Sequence, residues 1–146
     1  RFVQVTHRYW DSHGNLKRDH EKLSAEMDKP VAGLISDLKQ RGLLDETLVL
    51  WGGEFGRTPT AQGKDGRDHW GGCFTSVLAG AGVKGGFAYG KSDKQAGFPA
   101  ESPVAPRDLI ATVYHLLGVP EEQLVMDSGG RPQFVRPGKA IGELLA

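Results

Sequence analysis

Two carboxylates, two imidazoles and two guanidinium groups stand in short, glycine-bearing stretches that follow apolar runs. Asp11-Ser12-His13 comes soon after the opening Phe2–Thr6 run. Glu54 and Arg57 follow Leu48-Val49-Leu50-Trp51 within Gly53-Glu54-Phe55-Gly56-Arg57-Thr58-Pro59, and Arg67 and His69 arrive one loop later in Gly66-Arg67-Asp68-His69-Trp70. Carboxylate oxygen with imidazole nitrogen suits a divalent cation of hard to borderline character, and a guanidinium fork matches a tetrahedral oxyanion. Asp11, His13, Glu54 and His69 are thus candidate ligands for zinc, magnesium, calcium or manganese. Arg57 and His69 are the candidate catalytic groups, with Arg57 holding charge as it develops on an oxyanion. The chemistry indicated is that of phosphate or sulfate.

Each residue also has a plainer reading. Asp11 and Asn15 can cap a turn by bonding the local backbone. Glu54 can pair with Arg57 at the surface, Arg67 with Asp65 or Asp68, and His69 can pack on Trp70. His7 and His20 are weaker candidates near the same loop, and His115 is expected to pack within its helix. Asp28 reads as solvated and Asp108 as complementing a helix N-terminus. No Gly-x-Ser-x-Gly elbow or phosphate-cradling loop is present. Ser12, Thr58 and Thr60 lack an activating neighbour, so the nucleophile is expected to be a metal-activated water or a side chain outside this stretch.

The elements that must position these groups follow from periodicity. Residues 1 to 6 read as a strand and His7 to Leu16 as a loop. Leu23, Met27, Val31, Leu34, Ile35 and Leu38 recur at helical spacing over Lys17 to Arg41, with Pro30 as a start or kink and Gly42 as the stop. Thr47 to Trp51 is an unalternating apolar run, as in a strand buried on both faces of a parallel sheet. Further strands are expected at Phe74 to Ala79 and Gly85 to Gly90, and a loop at Lys91 to Ser102. Helices are expected from Pro106 to Gly118 and from Ile141 to Ala146. Strands alternating with helices predict an α/β layered fold and one domain over residues 1–146.

Bulk properties narrow the partners. The 146 residues carry 18 basic and 18 acidic groups, so no basic excess points to nucleic acid. No apolar run reaches the length of a membrane span. The lone cysteine, Cys73, excludes an internal disulfide and reads as a small buried hydrophobe. The start on Arg1-Phe2-Val3-Gln4-Val5-Thr6 reads as the interior of a sheet, so the chain is expected to be part of a longer protein.

Trp10-Asp11-Ser12-His13-Gly14-Asn15, Gly53–Pro59, Gly66–His69, Ala79–Gly86 and Asp108–Gly118 together resemble the C-terminal half of the DUF1501 proteins, a bacterial, sulfatase-like family. That family is similar in turn to the alkaline phosphatase superfamily. The resemblance implies a mostly parallel central sheet flanked by helices, with the chain as part of that domain. It also implies a bimetal site at strand ends, to which His69 would belong, and a periplasmic or exported location. Glu54-Phe55 stands where the superfamily has Asp-His, which removes a nitrogen ligand, and Asp11-x-His13 is spaced more tightly than the usual pair. The nucleophile and a further Asp ligand would come from an N-terminal half. On this reading the chain is a fragment of a metal-dependent hydrolase of sulfate or phosphate esters, small or polysaccharide, completed by that N-terminal half. The competing reading is a catalytically silent, sulfatase-like binding or structural module.

Overall fold

The structure, a computed structural model, describes residues 1–146. Helix α1 runs over Leu16–Gln40, close to the expected limits, and continues through Pro30 although that residue has no N–H to offer the turn before it. Gly42 ends it at φ +67°, a left-handed conformation without cost for glycine. The Leu43 N–H then donates to Leu38 O at 2.8 Å and the Gly42 N–H to Lys39 O at 3.1 Å, the paired bonds of a Schellman stop. Helix α2, Pro106–Leu116, begins on its proline and closes in the same way, with Val119 N–H to Tyr114 O and Gly118 N–H to His115 O. His115 lies on the exposed side of α2, not in its packed face as expected.

The sheet expectation fails. In place of a parallel sheet between helices there are four separate two-stranded ladders, all antiparallel. Strand β1 (Val49–Trp51) pairs with β4 (Val77–Ala79), and β2 (Gly56–Arg57) with β3 (His69–Trp70). Strand β5 (Lys91–Ser92) pairs with β6 (Pro99–Glu101), and β7 (Leu124–Met126) with β8 (Pro132–Phe134). The physical reason lies in the connections. A parallel pair needs a crossover, usually a helix, whereas the chain between β1 and β4 contains only the β2–β3 hairpin and turns. It therefore returns alongside itself and pairs in the opposite sense. Nor is β1 buried on both faces: Leu50 is 47% and Trp51 52% exposed.

Other expectations shift with it. Residues 1 to 6 form no strand, and neither do Gly85 to Gly90. The expected loop at Lys91 to Ser102 holds the β5–β6 hairpin, organised by Asp93, whose carboxylate accepts from the N–H groups of Gln95, Gly97 and Phe98. The terminal helix is a single 3₁₀ turn, Gly142–Leu144. Cys73 is half-buried, less enclosed than expected.

The best-buried part of the molecule lies where α2 meets the C-terminal segment. Ala111, Thr112, Arg136 and Ile141 are buried there. The Thr112 hydroxyl donates to Asp108 O at 2.7 Å and accepts from the Ile141 N–H at 2.9 Å. Asp108 accepts the Lys139 N–H, so the residue expected to complement the helix end also ties down the returning chain. The end of the chain then bonds residues 82–84, which joins this unit to the β1–β4 ladder.

Candidate metal centre

Two loops bring the chemistry together. One, residues 10 to 15, precedes α1; the other is the long connection that ends in β3. Their backbones are stitched by Leu16 N–H to Asp65 O at 3.2 Å and Arg67 N–H to Ser12 O at 3.2 Å, and the Asp65 carboxylate accepts the Asn15 N–H at 3.0 Å. Gly66 sits at the crossing, where a Cβ would run into the His13 carbonyl. The β2–β3 register pairs Arg57 with His69, which puts both on one face of that ladder.

Asp11, His13 and His69 converge there, their ligand atoms all within 4.8 Å of one another. Asp11 Oδ1 lies 2.8 Å from His69 Nε2 and 2.9 Å from His13 Nε2, and the two Nε2 atoms are 3.2 Å apart. Arg57 Nη1 lies 2.8 Å from the same oxygen, close enough for an ion pair but without the alignment of a hydrogen bond. Its Nη2 donates to Trp10 O at 3.1 Å. The hydrogen bond from His69, then the Arg57 guanidinium, lower the Asp11 pKa from 3.8 to about 2. The ionised cluster is therefore stabilised above the ordinary carboxylate value, and that contribution is lost as pH falls through about 2.

The proton inventory decides what the cluster can hold. Gln62 Oε1 is an acceptor, 2.7 Å from His13 Nδ1, so that nitrogen carries the proton. In a neutral ring the His13 Nε2 lone pair then faces the Asp11 carboxylate at 2.9 Å, acceptor against acceptor. His69 has one proton for Asp11 and none for this second contact. A metal ion set between the three groups would satisfy both lone pairs. The donor set of two imidazoles and one carboxylate suits zinc and its borderline neighbours. The outward hydrogen bond of His13 to Gln62 is the kind of support that fixes the tautomer of a ligating histidine. Phe55 stacks on His69 at 4.2 Å between ring centres, inclined by 25°, and holds that ring in plane. The residues fit a cation.

Not every candidate arrives. Glu54 is exposed at the bend after β1 and makes no hydrogen bond or ion pair, so it stands outside the three-residue group, and Arg57 pairs with Asp11 instead of with it. Arg67 donates to Gly66 O at 3.0 Å and pairs with neither Asp65 nor Asp68. His7 is turned away: it accepts the Trp10 indole N–H on Nδ1 at 2.9 Å, which leaves its proton on Nε2, 3.3 Å from Glu26. His20 meets the Trp10 ring edge-on. Ser12 is buried beside the cluster with its hydroxyl unpartnered, Thr58 is tied to Thr60 O and the Asp68 N–H, and Asp28 is exposed on α1. Gln62 and Phe55 are the supports that residue-type reasoning missed. No spacing signals Gln62, since only the Gln62–Gly66 bridge turns it toward His13.

No curated protein and no solved structure matches the chain. The family model described as "Protein of unknown function (DUF1501)" matches residues 1–145, nearly the whole length, and carries no activity with it. With Asp11, His13, Arg57 and His69 all inside the matched region, the chain belongs to the DUF1501 family.

Proposed function

We propose that the chain carries a divalent-metal site, held by Asp11, His13 and His69, that serves the hydrolysis of sulfate or phosphate esters. The observation that supports it is the acceptor–acceptor contact between His13 Nε2 and Asp11 Oδ1, 2.9 Å across, which calls for a cation. A bound metal would supply Lewis acidity and a more acidic water. The remaining work belongs to the protein's own groups. Gln62 and Phe55 orient the imidazoles, and Arg57 restrains the Asp11 carboxylate while its positive charge favours an anionic ester nearby. The sulfatase-like and alkaline phosphatase relationship, the N-terminal half that would add a nucleophile, and an exported location all belong to this reading.

The test is zinc binding followed by calorimetry, with hydrolysis of 4-nitrophenyl sulfate and phosphate measured on the intact protein. Asp11→Asn and His69→Ala should each weaken zinc binding by at least about tenfold, as loss of one of three ligands requires. Glu54→Ala measures whether that residue joins them. Unchanged zinc affinity in both ligand variants, or hydrolysis that survives them, would sink the reading.

One observation favours a second reading, a catalytically silent module. The Arg57 guanidinium already faces Asp11 and Trp10 O, so much of its donor fork is used within the protein. With Arg57 balancing the charge of Asp11, the cluster then stands as a structural ion network. Full thermal stability with every metal removed, and no gain on adding zinc, identifies that case.

A further inference from the structure

Side chains alternate along a strand, so the β2–β3 ladder has a second face. Arg57 and His69 point to the metal cluster, while Thr58 and Trp70 point to the opposite side. There Thr58, Thr60 and Trp70 meet the turn of the β5–β6 hairpin around a cleft of about 500 Å³, within the usual range of small-molecule sites. The cleft is held in shape from both hairpins. The Trp70 indole N–H donates to Gly97 O at 2.7 Å and so bridges them. The Asp93 carboxylate is committed to the N–H groups of Gln95, Gly97 and Phe98. Within that turn Ala96 sits at φ +57°, a left-handed conformation that is costly for a residue with a Cβ. Strain of this kind gathers at ligand clamps. Phe98 stands at the lip, 57% exposed, its ring 5.4 Å from that of Trp70 and turned by 69°.

We propose that this cleft binds a neutral pyranose whose hydroxyls are all equatorial, a β-linked glucose unit of a saccharide chain. Such a ring carries only C–H groups on its two faces and its hydroxyls at its edge. One face lies against Trp70 with Phe98 closing the side, because the negative face of an aromatic ring attracts C–H groups and its carbon covers them. The edge meets Gln95 and Thr60, whose amide and hydroxyl line the cleft, are exposed and make no hydrogen bond within the chain. An amide offers donor and acceptor side by side, the pair that two neighbouring hydroxyls need. Other ligands fit less well. No lysine or arginine lines the cleft, and its one charged group is the Asp93 carboxylate, which repels an anion. A flat base gains most between parallel rings, and rings crossed at 69° form a corner instead. An acyl chain would strip water from Gln95 and Thr60 and put nothing polar in its place. Binding here needs no metal, since no member of the metal cluster lines the cleft.

The test titrates cellotetraose into the isotope-labelled protein, with all metal removed by chelation, and follows the Trp70 indole and Gln95 side-chain resonances by NMR. Both should move saturably at millimolar sugar. Phe98→Ala and Gln95→Ala should each weaken the affinity by about three- to tenfold, the scale of one aromatic contact or one hydrogen bond. Phe134→Ala removes an equally exposed aromatic, at 58%, from β8 and should leave the affinity unchanged. All three positions are exposed, and the backbone amide spectrum of each variant checks that its fold is kept. Signals of Trp70 and Gln95 that do not move overturn the proposal, as does an affinity that Phe98→Ala and Gln95→Ala leave intact. So does sodium sulfate or adenosine that moves the same signals at a lower concentration than cellotetraose. Because the titration runs without metal, its failure and a failure of the metal site are read separately.

Discussion

Asp11 carries the cluster because one of its oxygens meets both imidazoles and the Arg57 guanidinium at 2.8–2.9 Å. Its neighbour in the chain of causes is Gln62, whose side chain bonds His13 Nδ1 and so controls which nitrogen faces the carboxylate. Gln62→Leu should therefore lower zinc affinity by about 10–100-fold, the usual cost of losing a ligand's outer hydrogen bond, while the circular dichroism spectrum stays as it is. An unchanged affinity would remove Gln62 from the site. Elsewhere, Asp127 organises the β7–β8 hairpin by accepting from the backbone N–H groups of Arg131 and Gly129 and from the Arg131 guanidinium, and these bonds lower its pKa from 3.8. A lowered folded value means that its contribution is complete above the ordinary carboxylate range and fades as pH drops through the folded pKa. The Gly129 and Arg131 amide resonances should hold steady from neutral pH down to the ordinary carboxylate range and move only below it. Movement near pH 6 would contradict the bonding described. Residue types alone exposed Asp11, His13 and His69, because few side chains ligate metals. They could not expose Gln62 or Phe55, whose roles exist only once two distant loops meet.

At the scale of elements, the site depends on how closely the 10–15 loop crosses the approach to β3. Gly66 permits that approach, since a Cβ there would meet the His13 carbonyl, whereas Gly71 has open space and no left-handed φ. Gly66→Ala should cost on the order of 1–3 kcal/mol, the scale of overpacking, and weaken zinc binding with it. Gly71→Ala should stay within about 0.5 kcal/mol of the parent. Urea titration of both variants checks this, and equal stabilities would show that the loops can part without loss. The same contrast explains what the sequence made legible. Helix stops are local events, so Gly42 and Gly118 announced the ends of α1 and α2. Strand pairing is not local. The run Thr47 to Trp51 reads alike whether its partner lies parallel after a helix or antiparallel after a hairpin. The absence of helical periodicity between Trp51 and Val77 was the available signal for the antiparallel outcome. The β5–β6 hairpin stayed hidden because Asp93, a turn-forming residue, sits among polar neighbours with no alternation.

For the whole molecule, the amount of surface hidden sets how the chain responds to denaturant. An unfolded chain of 15.8 kDa exposes about 22,900 Å², so folding to 10955 Å² hides about half of it. A compact domain of this size hides about 68–70%. The slope of stability against urea scales with the area released on unfolding. The isolated chain should therefore unfold with a slope about one quarter smaller than that of compact domains of equal length. Circular dichroism followed through a urea titration gives the slope directly. A value typical of a compact 146-residue domain would mean that the chain in solution hides the apolar surface of β1 and the N-terminal segment by itself. The open face would then close internally.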